Sequence, residues 1–280
     1  MDTSEVRKIV SGIKSNLFKN ANSFSIGMLK SHFKGTGLKF KEHQVYTHGD
    51  DVRFIDWKML AKTSQPYIKT FEEERNIEIT ILLDCTSGMF MGVDGKSKLE
   101  GAIEISCLIY LLSGMTSDYV QTIICTGHEI IRVQKKNGEL GIVALVDTLR
   151  RKNIIKSDGS VNFEYKADNF DKDYNKKIIQ EFYKKKELVI LSDFYNFLHG
   201  EDLKRLVARK HVHAFRILTP LDYADDFHYS VNIKDFLGNT FGTRNIKLEA
   251  KNRNTADTEI RVKDLFLDKR YLEDFVKEML

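Results

Sequence analysis

Ile77-Glu-Ile-Thr-Ile-Leu-Leu-Asp-Cys-Thr-Ser-Gly-Met-Phe-Met-Gly92 is the stretch whose pattern decides the fold. Apolar residues at 77, 79, 81 and 83 alternate with Glu78 and Thr80, and Leu82 then fills the remaining face. That is the period-2 signature of a strand that becomes buried on both sides. The strand ends at Asp84, and hydroxyl residues follow before the next helix. In open α/β sheets, ligand sites lie at the carboxyl ends of strands, so Asp84 and Thr86 stand where a ligand or ion is expected.

Downstream, strand and helix patterns alternate. Ser97-x-x-Glu100 is a capping box opening a helix over residues 99–112, with Gly114 placed to end it. Residues 119–125 and 129–133 read as short strands around Thr126-Gly127-His128, close enough for an antiparallel hairpin. Helices are expected over 139–151, around Tyr174, Ile178, Ile179 and Phe182, and over 201–210. Leu188-Val-Ile-Leu191 is an uninterrupted apolar run ending in Ser192-Asp193, as in a central parallel strand. A further strand over 212–218 is closed by Pro220. The last 60 residues suggest short strands over 229–236, 246–248 and 259–262 and a closing helix over 265–280. This alternation implies an α/β fold: a mostly parallel sheet covered by helices on both faces, with one antiparallel edge strand. Asp84 and Asp193 both end strands, and two such ends can flank one crevice where the strand order reverses.

Upstream, Val6, Ile9, Val10, Ile13 and Leu17 recur at helical spacing, so an amphipathic helix is expected to dock on the body. Residues 1–41 hold eight Lys/Arg against Asp2 and Glu5, so the basic excess of a chain with net charge +4 lies in this leader. A solvated basic helix and an acidic partner surface are the two readings of that charge. No nucleic-acid-binding module interleaves it with stacking aromatics. From Phe40 to Arg75 polar groups crowd beside aromatics; Gly49-Asp50-Asp51 reads as a turn capping a short helix with the only tryptophan, Trp57. Asp50, Asp51 and Asp56 are read as caps or as partners of Arg53 and Arg75, with a catalytic carboxylate cluster as the alternative.

Composition sets the outer bounds. At 280 residues and 42% hydrophobic the chain can bury a large core. Its longest apolar stretch, residues 102–112, is well short of the roughly 20 residues that span a bilayer. No secretory or transit pattern opens the sequence. Cys85, Cys107 and Cys125 form no Cys-x-x-Cys pair and fall in core elements, which suits a reducing compartment.

Gly35-Thr-Gly-Leu-Lys-Phe40, Tyr46-Thr-His-Gly-Asp-Asp-Val-Arg-Phe-Ile-Asp-Trp57, Ala61-Lys62, Phe71-Glu-Glu-Glu-Arg75 and Leu82-Leu-Asp-Cys-Thr-Ser-Gly-Met89 together resemble the DUF58 family. Gly49, Asp50, Asp51, Arg53, Asp56, Trp57 and Arg75 carry the resemblance, which covers roughly residues 35–220. It implies a three-layer von Willebrand factor A-like, Rossmann-type sheet, divided as a leader (1–76), the A-like domain (77–220) and a C-terminal α+β appendage (221–280). Many relatives carry an N-terminal membrane anchor; this chain looks like a short soluble version, cytoplasmic or peripheral at the inner membrane through partners.

The resemblance also implies a metal-ion-dependent adhesion site, Asp-x-Ser/Thr-x-Ser with a Thr and an Asp on later loops. Asp84 and Thr86 match the first two places, Gly88 stands where the second hydroxyl belongs, and Asp193 matches the later aspartate. Ser157 and Ser160 are the alternatives for the loop hydroxyl. Mg²⁺ keeps several waters, and a water can replace the missing hydroxyl. The expected function is a non-enzymatic interaction module that binds an acidic side chain of a partner at this site. The expected partners are a MoxR-type AAA+ ATPase and other von Willebrand factor A-like proteins, in a chaperone-like or assembly role. The alternative is a divalent-metal-dependent phosphohydrolase or nuclease drawing on Asp50, Asp51, Asp56, Asp84 or Asp193.

Overall fold

A computed structural model describes residues 7–12, 37–74, 77–93, 96–116, 118–166, 172–185, 187–195, 200–223, 226–234, 240–249 and 261–279. In chain order a helix α1 (residues 7–12) precedes β1 (Gly37–Val45), α2 (Trp57–Thr63) and β2 (Tyr67–Glu74). Next come β3 (Glu78–Asp84), the two-residue strands β4 (Gly92–Val93) and β5 (Lys96–Ser97), and α3 (Lys98–Thr116). Then follow β6 (Tyr119–Cys125), β7 (Ile130–Arg132), α4 (Gly138–Arg151), α5 (Lys172–Tyr183) and β8 (Glu187–Ser192). The remainder comprises α6 (Gly200–Val207), β9 (Val212–Leu218), α7 (Pro220–Tyr223), β10 (Asp226–Lys234), β11 (Thr240–Glu249), β12 (Val262–Phe266) and α8 (Tyr271–Glu278).

Six strands form the main sheet in the order β12-β9-β8-β3-β6-β7. All neighbours are parallel except β7, which runs antiparallel to β6 at the edge. From β3 the chain crosses through α3 to β6 on one side, then returns past α4 and α5 to β8 on the other. The strand order therefore reverses between β3 and β8, and a crevice opens at their carboxyl ends.

Alternation along the strands sorts the core into two layers. Ile79, Ile81, Leu83, Val120, Ile124, Val189 and Leu191 face one hydrophobic cluster with residues of α3, α4 and α8. Leu82, Ile123, Leu188, Ile190, Val212 and Ala214 face the other, closed by Tyr174, Ile178 and Phe182 of α5 and Leu203, Leu206 and Val207 of α6. Ile81, Leu82 and Leu83 are fully buried. A mixed α/β, Rossmann-like three-layer arrangement results. Helix α3 is apolar around most of its circumference because the sheet lies under it and α4 beside it. The phenol of its Tyr110, which is buried, meets the Thr122 hydroxyl at 3.0 Å, which satisfies both polar groups.

Several boundaries depart from the sequence reading. Helix α3 continues through Gly114 to Thr116. Gly114 serves close packing instead, since a Cβ there would lie 2.7 Å from the Gly138 Cα at the start of α4. The segment 221–280 is not wholly an appendage, because β12 joins the main sheet beside β9. Its strand was placed too early, and residues 265–270 precede rather than form the closing helix. As an edge strand β12 carries exposed Lys263 and Asp264, the latter paired with Arg216 of β9, and those charges mask the strand pattern. β10 and β11 pair as an antiparallel ribbon, longer than the short strands expected there.

In the leader, Ile9 and Val10 of α1 are buried in the main core. Gly159 meets Ile9 closely: a Cβ at 159 would lie 2.9 Å from its Cγ2. The Gly35-Thr-Gly37 turn, most of the basic charge and Arg75 fall largely or wholly outside the described residues. β1 and β2 form an antiparallel pair that the sequence reading did not resolve, because a register shift between Phe40 and Glu42 breaks the alternation.

At the α3–α4 contact, a Cβ on Gly141 would lie 2.1 Å from the Tyr110 Cδ1. Helix propensity alone favours Ala over Gly by about 1 kcal/mol. Overpacking costs roughly 1–3 kcal/mol and opposes it. Gly141→Ala is therefore expected to lower the urea midpoint, and an unchanged or raised midpoint refutes this account of the contact.

Candidate functional site

The carboxyl ends of β3 and β8 meet at two aspartates. Asp84 is fully buried; its Oδ1 accepts the Thr86 N–H at 2.8 Å and its Oδ2 accepts the Ser192 hydroxyl at 2.6 Å. Ser192 Oγ in turn accepts the Phe194 N–H at 2.9 Å, so this hydroxyl ties the ends of the two strands together. Phe194 adopts φ +55°, unusual for an aromatic residue, in the bend that brings the Tyr195 N–H onto Asp193 Oδ1 at 3.0 Å. Thr86 Oγ1 is buried without a hydrogen-bond partner. Burial, and secondarily the charge of Asp193, push the Asp84 carboxyl up to about 7, against the bonds from Ser192 and Thr86.

Asp193 is turned toward Lys98. The Lys98 ammonium lies 3.3 Å from Asp193 Oδ2 and 2.7 Å from Asp222 Oδ1, and its side chain is only 3% exposed. Asp222 is held by Thr219, whose N–H and hydroxyl both donate to Oδ2, at 2.7 and 2.8 Å. The β4–β5 hairpin places Lys98, whose N–H donates to the Met91 carbonyl at 2.9 Å. Gly88 is the other wall: a Cβ there would lie 2.2 Å from Asp193 Oδ2.

The three expected metal ligands, Asp84, Thr86 and Asp193, are thus brought to one place. The orphaned Thr86 hydroxyl suits an oxygen-coordinated ion. The arrangement as a whole does not, because the carboxylate of Asp193 closes over Gly88 onto an ammonium that already neutralises it. A divalent ion beside that ammonium meets like-charge repulsion in a buried setting. Among the described residues no cluster of three or more His, Cys, Asp or Glu side chains forms a metal site. Ser160 bonds Asp158 within its own turn.

A family model described as "Protein of unknown function DUF58" matches residues 42–242. The chain belongs to the DUF58 family. Uncharacterized proteins of Mycobacterium bovis (Mb1516) and Mycobacterium tuberculosis (Rv1480) are each 26% identical to it over 104 residues, 37% of this chain and 33% of theirs. The DUF58 chain thus aligns with about a third of the length of these relatives. Among solved structures, a conserved hypothetical protein BatB from Bacteroides thetaiotaomicron is 14% identical with a TM-score of 0.41, covering 72% of this chain and 97% of that one. An aerotolerance-related membrane protein from Bacteroides fragilis is 13% identical with a TM-score of 0.40, covering 72% and 98%. Among the described residues no helix is long and apolar enough to cross a membrane.

The DUF58 motif at 49–57 forms a web of local bonds between β1 and β2. Gly49 takes φ +112°, which only glycine adopts readily. Asp50 Oδ2 accepts from the Thr47 N–H and hydroxyl, both at 2.8 Å. Asp51 caps a 3-10 turn at Val52–Phe54 through the Arg53 N–H and binds the Arg53 guanidinium at 2.6 Å. That pairing holds the Asp51 carboxyl below the usual carboxylate range. Asp56, not the Gly49–Asp51 turn, caps the helix of Trp57, and its other oxygen meets His43 at 2.9 Å and Lys69 at 3.3 Å. His43 foremost keeps the Asp56 carboxyl low. Trp57 itself is 66% exposed.

Lys98, Ser192 and Asp222 were given no site role in the sequence reading. Two signals were present. Lys98 opens a helix, where the dipole disfavours a cation, so a nearby anion was implied. Thr219-Pro-Leu-Asp222 is a capping pattern with proline at the first helical position, which fixes Asp222 at a helix start. Ser192 carries no local signal, because its partner is 108 residues away.

Asp84 makes stability depend on pH. Its folded carboxyl keeps the proton to about 7, whereas the unfolded group releases it near 4. Between those values the folded state binds more protons, so stability falls as pH rises from about 4 to about 7 and levels off above. The slope is at most about 1.4 kcal/mol per pH unit. Urea titrations of Asp84→Asn are expected to lose this slope and to match or exceed wild-type stability at pH 8. A variant that keeps the wild-type slope assigns the titration to another group.

Proposed function

We propose that this DUF58 chain is a non-enzymatic protein-interaction module of the von Willebrand factor A-like kind, docking a partner on the loops at the carboxyl end of its sheet. The carrying observation is the pairing of a closed polar interior with an apolar rim. Inside, Asp84, Asp193 and Asp222 are each held by hydrogen bonds, and the Lys98 ammonium bridges the last two. Outside, Met91 is 57% exposed and Tyr195 77% exposed, on two loops that touch where Asp193 lies against Gly88. Exposed Tyr and Met are characteristic anchors of protein interfaces. The resemblance of the Gly49–Trp57 motif region supplies the partner class, a MoxR-type AAA+ ATPase or another von Willebrand factor A-like protein, and the chaperone-like or assembly role.

Water activation by a phosphohydrolase or nuclease requires carboxylates directed at an open cleft. Asp50, Asp51 and Asp56 are instead bound to Thr47, to Arg53, and to His43 and Lys69. This favours the binding reading.

Tagged full-length chain is captured from its native cells with Mg²⁺ and nucleotide, and co-purifying proteins are identified. Recovery of an AAA+ ATPase is expected, reduced roughly tenfold by Met91→Ala with Tyr195→Ala at unchanged melting temperature. Failure of the wild type to retain any ATPase sinks the partner assignment. Turnover of phosphate esters that Asp84→Ala abolishes supports the hydrolase instead.

A further inference from the structure

We infer that the Lys98 ammonium is the resident cation beside the β3–β8 crevice, and that by binding Asp193 it leaves the ligand set of the adhesion motif incomplete for a divalent ion. This concerns the cation alone and holds or fails independently of the partner reading.

The ammonium is buried, and a buried charge persists only when paired and hydrogen-bonded. Both anions that pair it are themselves positioned. Asp193 Oδ1 is held by the Tyr195 N–H and Asp222 Oδ2 by Thr219, leaving Asp193 Oδ2 and Asp222 Oδ1 facing Nζ. Lys98 is anchored through its own N–H to Met91, on the loop that follows Gly88. Gly88 now has a physical reason. Asp193 reaches the ammonium by lying against Gly88, and a side chain at 88 would overlap Asp193 Oδ2. Gly88 and Lys98 act on the same aspartate: position 88 offers no hydroxyl to an ion, and Asp193 is bound to an internal cation.

A divalent ion presents an open coordination position to an incoming carboxylate. Here the ammonium is enclosed by the protein's own carboxylates and offers no comparable position. This end of the sheet therefore presents no open metal position to an incoming carboxylate.

Mn²⁺ is titrated into the full chain and free Mn²⁺ is followed by electron paramagnetic resonance, with melting curves in EDTA and in Mg²⁺. The wild type is expected to take up no stoichiometric Mn²⁺ at about 1 mM, and its melting temperature should not move with Mg²⁺. Lys98→Met keeps the length of the side chain and removes the charge. It is expected to melt about 10 °C lower in EDTA, since the buried Asp193 and the partly buried Asp222 lose their counter-charge. It should bind one Mn²⁺ and recover part of that loss, more so when combined with Gly88→Ser. If Lys98→Met does not fold, Lys98→Gln takes its place in the same assay, and the wild-type titration decides if neither folds. Stoichiometric Mn²⁺ binding by the wild type below about 1 mM, lost in Asp84→Ala, overturns the inference. So does a folded Lys98→Met chain that takes up no Mn²⁺.

Discussion

Burial of β3 on both faces is the constraint on which the other elements depend. Ile79, Ile81 and Leu83 point into one core and Leu82 into the other. A strand apolar on both sides must be covered twice, so helices are needed above and below the sheet. Parallel neighbours joined through helices follow from that requirement, because such crossovers are the connections that put helices on the faces. With β3 central, the crossover through α3 runs to β6 on one side and the later return through α4 and α5 places β8 on the other, so the reversal of strand order falls beside β3, and Asp84 is delivered to the crevice by position rather than by any property of its own.

The polar interior at that crevice resolves a conflict the fold creates. Parallel strands ending in acidic residues gather negative charge in a place with little water, where each charge is costly. Three solutions are used together. Asp84 takes hydrogen bonds from Ser192 and Thr86 and holds its proton more tightly than an ordinary carboxyl. Asp193 and Asp222 share the Lys98 ammonium. Gly88 provides the space in which Asp193 turns toward that lysine. The leader meets its charges differently: Asp50, Asp51 and Asp56 satisfy nearby backbone donors, Asp51 pairs with Arg53 at the surface, where such a pair contributes little, and the buried Asp56 is held by His43 and Lys69.

How legible each part was follows from the range of the interaction that sets it. Strand β3, the β6–β7 hairpin, the capping box at Ser97 and the apolar strand β8 came from patterns within ten residues, and the structure places all of them. β1 was missed because a register shift interrupts its alternation, and β12 was misplaced because an edge strand carries charges that a central one cannot. The polar sites divide in the same way. Asp84, Thr86 and Asp193 were found from their places at strand ends. Lys98 and Asp222 lie 124 residues apart, and their bond leaves no periodic trace.

The sequence by itself determined the α/β class, the central strand, the carboxylates at its end and, through the Gly49–Trp57 motif, the DUF58 family. Those depend on alternation, caps and turn chemistry, which act between residues close in the chain. Only the tertiary structure decided that β12 completes the sheet, that Ser192 fastens β8 to β3, and that the carboxylates at the crevice close on a lysine. Those are pairings between distant segments. They require the strand ends to be side by side, and at that distance electrostatics and shape select the partners rather than spacing in the chain.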